Sequence, residues 1–116
     1  MKTIILIITI LISVLGGCEK KGLSSDIPAC IYEQIKKIQA EEVRNPPGSI
    51  WQYEYNGKTV YYVPAYCCDI ESKLFDKNCN IICSPDGGFT GKGDGKCPDF
   101  FTNRKNEKLI WKDERR

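Results

Sequence analysis

No histidine occurs among the 116 residues, which excludes His-based catalytic triads, imidazole general bases and zinc sites with His ligands. Serine-nucleophile motifs are missing as well. A phosphate loop is only imitated: the glycine required five residues before Gly91-Lys92 is Asp86, and the hydroxyl required after Lys92 is Gly93. No apolar run is long enough to span a bilayer well, the longest being Ile4 to Leu15, interrupted by Thr9 and Ser13. Charge of one sign is lacking too. With 17 Lys and Arg against 15 Asp and Glu, there is no basic excess of the kind that marks a nucleic-acid-binding chain. Internal repeats and a second domain are also absent.

What is present begins at the N-terminus. Lys2 followed by a short apolar core reads as an export signal over residues 1–17. Leu15-Gly16-Gly17-Cys18 resembles the lipobox of bacterial lipoproteins: small side chains let the segment enter a peptidase cleft, and the Cys18 thiol receives the diacylglyceryl group. The alternative is an ordinary secretory signal with Cys18 free or bridged. Several acyl chains anchor stably, because each buried methylene contributes about 0.8 kcal/mol. Residues 18–25 then form a lipidated cysteine and polar tether, and 26–116 a single domain. The seven residues Glu19 to Ser25 reach at most about 25 Å, which keeps the domain close to the membrane. The expected location is the cell envelope, at the outer membrane, with the leaflet open.

Setting Cys18 aside leaves Cys30, Cys67, Cys68, Cys79, Cys83 and Cys97, an even six suited to three disulfides in an oxidising compartment. In a cytosolic chain Cys67, Cys68, Cys79 and Cys83 would suggest zinc; behind an export signal, oxidation is favoured. Adjacent cysteines usually bridge to different partners, which gives a provisional Cys67–Cys79 pairing and leaves Cys30, Cys68, Cys83 and Cys97 unresolved.

The fold class expected is α+β. Ser24, Ser25 or Asp26 can cap a helix with Pro28 in its first turn; Ile27, Ile31, Ile35 and Ile38 form its apolar stripe, and it ends near Val43. Cys30, beside the stripe, is expected to tie the helix to the sheet. Ile50–Tyr55 and Lys58–Val63 flank Asn56-Gly57, the signature of a type I′ hairpin turn. That register pairs Tyr53 with Val60 and Trp51 with Tyr62. The aromatic row of Trp51, Tyr53, Val60 and Tyr62 is expected to pack under the helix isoleucines, although such a row can also stack on sugars or bases. A second hairpin over Lys73–Phe75 and Asn80–Ile82, a return of Phe100-Phe101 to the core and a last strand Lys108–Trp111 complete the sheet.

The chemistry-bearing region runs from Cys67 to Asp99 and holds five of the seven cysteines. Cys83 and Cys97 bracket a glycine-rich excursion whose Asp86, Gly87, Gly88, Phe89, Thr90, Lys92 and Asp94 form the candidate binding loop. Calcium is a weaker reading. Asp76, Asn78 and Asn80 match the first ligands of an EF-hand, but Ile81 replaces its glycine and Gly87 its bidentate glutamate. Asp86, Asp94 and Asp99 could still form an irregular site; the plainer expectation is that these aspartates cap turns. A proteinase-inhibitor-like loop, with Lys92 or Lys96 as specificity residue, is the alternative to a binding module. A carboxylate enzyme using Asp69, Asp86, Asp94 or Asp99 comes third. No catalytic residue, metal or cofactor is assigned.

Several strings together resemble a known family: Ile27-Pro28-x-Cys30-Ile31, Gly57-Lys58-x-Val60-Tyr61-Tyr62, Cys67-Cys68-Asp69, the run from Cys83 through Pro85-Asp86-Gly87-Gly88-Phe89-Thr90-Gly91-Lys92-Gly93-Asp94-Gly95 to Cys97-Pro98-Asp99-Phe100, and Ile110-Trp111-Lys112. They are similar to small lipoproteins of Bacteroidota that carry a domain of unknown function. The resemblance covers nearly the whole mature chain. It implies an envelope location and a shared domain, with no activity or site to transfer. Similar chains often carry glycine where Cys79 stands, which bears against the Cys67–Cys79 pairing. The expected partners are the membrane, through Cys18, and an envelope protein or glycan; nucleic acid is not expected.

Overall fold

The computed structural model describes residues 26–67 and 69–115. The chain is α+β, as its patterning predicts. Helix α1 (Ala29–Ala40) precedes strands β1 (Ser49–Tyr55), β2 (Lys58–Val63), β3 (Lys73–Asp76) and β4 (Ile81–Cys83), then a one-turn helix α2 (Phe100–Asn103) and strand β5 (Lys105–Lys112). The five strands form one sheet in the order β4-β3-β2-β1-β5, every neighbouring pair antiparallel.

The first hairpin follows the predicted register, Trp51 opposite Tyr62 and Tyr53 opposite Val60. Its turn has the two positive φ angles of a type I′ connection, 51° at Asn56 and 74° at Gly57. The second hairpin forms where expected, with the Asp76 carboxylate accepting from the Asn78 and Asn80 backbone N–H groups at 2.8 and 2.9 Å. β5 is longer than Lys108–Trp111 and bulges twice against β1.

Helix α1 buries Ile31, Ile35 and Ile38, and Ile27 packs with them just before it. The helix is shorter than its apolar spacing suggests. Pro28 occupies the N-cap with extended backbone, so it precedes the first turn, and Ser24 and Ser25 lie outside the described residues. At the other end Glu41 is already extended. The Arg115 guanidinium donates to the carbonyls of Ile38, Gln39 and Glu41 at 3.0, 2.9 and 3.1 Å, satisfying acceptors that a helix end leaves open. Asp113 holds Arg115 in place with a 2.7 Å ion pair.

The expected packing of the aromatic row needs correction. The helix isoleucines lie on Ile50, Tyr61, Val63 and Phe75, the residues alternate to the row. Tyr53, Tyr55, Val60 and Tyr62 face the opposite side, where they pack with Leu74, Cys83, Cys97 and Phe100, and Trp51 packs against that cluster. The sheet is therefore covered on both faces. Tyrosines need acceptors for their hydroxyls when buried. For Tyr53, Tyr55 and Tyr62 the acceptors are carboxylates that follow β4 in the chain.

Two disulfides fix the covers. Cys30–Cys79 joins the first turn of α1 to the turn between β3 and β4, with Cα atoms 5.6 Å apart, and Cys83–Cys97 closes the glycine-rich loop with Cα atoms 6.1 Å apart. Cys30 thus ties the helix to the sheet as anticipated. The provisional Cys67–Cys79 pairing is overturned: Cys79, at a φ of 65°, sits beside the helix start and not beside Cys67. Cys67 is itself disulfide-bonded, and Cys68 lies outside the described residues. Among the described residues no helix is long and apolar enough to cross a membrane.

Candidate functional site

The loop from Ser84 to Lys96 is held from both ends by the sheet face beneath it. The Cys83–Cys97 bridge fixes its two bases. Tyr62 then donates its hydroxyl to Asp86 at 2.8 Å, Tyr55 to Asp99 at 2.5 Å and Tyr53 to Glu107 at 2.6 Å. These three tyrosines rise from neighbouring positions of one sheet face; Tyr62 and Tyr55 are anchored to carboxylates of the covering segment, and Tyr53 to Glu107 of β5. Their phenols are correspondingly hard to ionise. Burial and the Glu107 bond push Tyr53 up to about 12, burial and Asp86 push Tyr62 up, and the Asp99 bond raises Tyr55.

Phe100 is the keystone of this face. It is completely buried and meets Tyr53, Tyr55 and Tyr62 at centroid distances of 5.6, 5.4 and 5.6 Å. Phe101, expected to return to the core with it, remains 40% exposed and packs edge-on against Tyr62. Arg104 lies over the Tyr53 and Phe101 rings, 4.9 and 5.0 Å from their centroids, and donates to the Tyr53 hydroxyl.

Within the loop the backbone closes on itself. Ser72 exchanges two bonds with Asp86, its hydroxyl donating to the Asp86 carbonyl and accepting from the Asp86 N–H, both at 3.1 Å. Gly93 N–H donates to Gly87 O, and Asp94 N–H to Ser84 O, each at 3.0 Å. Two glycines here have no substitute. Gly93 has a φ of +67°, and a Cβ would collide with the Ser84 carbonyl; Gly87 has a φ of +79°, and its Cβ would stand 2.5 Å from the Ile70 carbonyl oxygen.

At the apex, Gly91 N–H bonds Gly88 O at 3.1 Å, closing a tight turn with Phe89 and Thr90 at its centre. Phe89 is 92% exposed. Among the described residues, a phenyl ring left almost wholly in water on a backbone this constrained is the feature that folding least accounts for.

The other predicted site residues are placed as follows. Asp94 accepts from the Lys96 N–H at 3.0 Å, and that contact lowers its pKa; the Tyr55 hydroxyl lowers that of Asp99. With Asp86 taken by Tyr62, these three aspartates cap turns and anchor tyrosines, and among the described residues no group of three His, Cys, Asp or Glu side chains gathers to hold a metal. Lys92 and Lys96 are exposed, and the Lys92 N–H bonds Thr90 Oγ1. Asp69 is exposed. Cys18 lies outside the described residues. Sequence reasoning passed over the hydroxyls of Tyr53, Tyr55 and Tyr62 and the roles of Ser72, Glu107 and Arg104. The available signal was tyrosine, not phenylalanine, at Tyr53, Tyr55 and Tyr62, each with an oxygen to satisfy.

The loop and the chain's entry lie at opposite ends of the sheet. Asp26 and Pro28 share a surface cleft with Thr59 and Lys77, by the hairpin turns. The glycine-rich loop instead joins the start of β3, through the Glu71–Gly87 bridge and the Gly88 N–H bond to Ile70 O at 3.1 Å.

Residues 36–113 match the model of a domain of unknown function, DUF6970, and the chain belongs to that family. No curated protein and no solved structure matches it.

Proposed function

We propose that this chain is an exported lipoprotein of the kind found in Bacteroidota, anchored to the outer membrane through Cys18, whose domain is a non-catalytic binding module presenting the loop from Ser84 to Lys96 to an envelope protein or glycan. The observation that carries the reading is Phe89, 92% exposed at the apex of a loop fixed by the Cys83–Cys97 bridge and by tyrosine–carboxylate bonds. A side chain carried on a backbone already fixed loses less freedom on association than one on a mobile loop, so preorganisation of this kind favours recognition. The opposite placement of chain entry and loop adds support: from Glu71 to Asp76, the end of β3, the chain crosses the sheet, roughly 16 Å at about 3.3 Å per residue. A short tether entering at Asp26 therefore leaves Phe89 on the side away from the lipid.

A photo-crosslinking phenylalanine analogue at position 89 of the full chain, expressed in its own envelope, tests the reading. Discrete adducts are expected from position 89 and not from Leu109, which is also exposed; identical patterns from both positions would count against it. Anchoring is tested separately, since Cys18→Ala should move the chain from the detergent phase to the aqueous phase.

A further inference from the structure

Four of the large apolar side chains left exposed, Val43, Tyr66, Ile70 and Phe89, belong to the segments at the loop end of the sheet. Tyr66 and Ile70 also line a cleft of about 50 Å³ between α1 and residues 63–73, whose wall carries Lys37, Arg44 and Lys73 against a single acid, Glu71. Arg44 lies 4.7 Å over the Tyr66 ring and bonds Glu41 at 2.9 Å. Its buried Nε–H has no acceptor among the described residues, so one donor of that group is left open. Phe89 adjoins the cleft, because Gly88 bonds Ile70 and a Cβ on Gly88 would lie 2.8 Å from Glu71 Cγ.

We infer that this end of the domain is a protein-docking surface, whose partner places a carboxylate side chain in the cleft lined by Lys37, Arg44 and Lys73 and packs apolar groups on Tyr66, Ile70 and Phe89. The inference rests on the binding-module reading and deepens it by naming the partner's chemistry. The cleft is small enough to select a single carboxylate and exceeds the space that one water needs, about 10–15 Å³. An apolar centre with a charged border has the anatomy of a protein interface. Chain entry at the opposite end argues for a protein and against the anchoring bilayer as occupant.

The test uses the full chain, isotope-labelled in detergent, titrated with N-acetyl-Leu-Glu-Leu-amide and, separately, with its Gln counterpart. Saturable shifts at Arg44 Nε–H, Tyr66 and Ile70 are expected with the Glu peptide, and binding about tenfold weaker with Gln, the loss set by one charged hydrogen bond. Lys37→Gln with Lys73→Gln, two surface changes, should erase the difference between the peptides while leaving the spectrum of the fold intact. Equal affinity for both peptides, or no saturation with either, overturns the inference yet leaves the crosslinking result at Phe89 standing. Loss of the same resonances on adding phosphatidylglycerol vesicles, without a response to the Glu peptide, would assign the surface to a membrane instead and overturn it equally.

Discussion

The two faces of the sheet are covered by different means. On one, α1 lays aliphatic side chains on Ile50, Tyr61, Val63 and Phe75; the helix satisfies its own backbone except at its end, which Arg115 caps, and packing does most of the rest. On the other, a loop with little repeating structure covers the tyrosines, so its backbone groups must be met one at a time by Ser72, Gly87 and Ser84 and its register fixed by tyrosine hydroxyls and a disulfide. The difference teaches that irregular backbone can be held as firmly as a helix when each polar group has a specific partner. It also explains where surface is left for recognition, since the regular face has consumed its apolar stripe and the irregular one exposes Phe89.

The strongest test of this contrast removes the centre of each cover. Phe100→Ala should cost about 4 kcal/mol and Ile31→Ala about 3 kcal/mol in urea unfolding, both residues being fully buried; a much smaller cost at Phe100 would mean that the loop face is loosely packed. Replacing Cys83 and Cys97 together by serine opens a loop of sequence separation 14 and should cost about 3 kcal/mol by restoring chain entropy to the unfolded state, with α1 unaffected in helical dichroism. Tyr62→Phe should cost about 2 kcal/mol, the worth of a hydrogen bond to a charged group, and should shift the Asp86 and Ser72 resonances while sparing those of α1.

Alkali probes the same bonds. The folded-state pKa values of Tyr53, Tyr55 and Tyr62 are raised, so the stability linked to them is complete below the unfolded tyrosine value of about 10 and is lost as pH climbs through the folded values. The phenolate signals of Tyr53, Tyr55 and Tyr62 should therefore appear together with unfolding; their ionisation near pH 10 in a chain whose dichroism is unchanged would contradict the bonds described. The smallest stability effect is expected at Phe89→Ala, within about 0.5 kcal/mol, because a side chain 92% exposed contributes little to folding.

The helix face was legible because periodicity encodes it: isoleucines at Ile27, Ile31, Ile35 and Ile38 declare a stripe, and Asn56-Gly57 declares a turn and a register. Which sheet face the stripe would choose was not legible, since alternation fixes two sets of residues without saying which cover each receives. The loop was visible as a bracket between Cys83 and Cys97 and as a run of glycines, but its rigidity came from long-range pairs such as Tyr62 with Asp86 and Tyr55 with Asp99. No local pattern links those residues. Arg115 was hidden for the same reason: no local pattern links it to the helix that ends at Ala40, whose last carbonyls it caps.

The central claim is that the glycine-rich loop is a fixed platform for Phe89, and backbone ¹⁵N relaxation measures it directly. Order parameters of about 0.85 across residues 85–96, equal to those of α1, are the predicted result; values below about 0.6 around Phe89 would contradict the account.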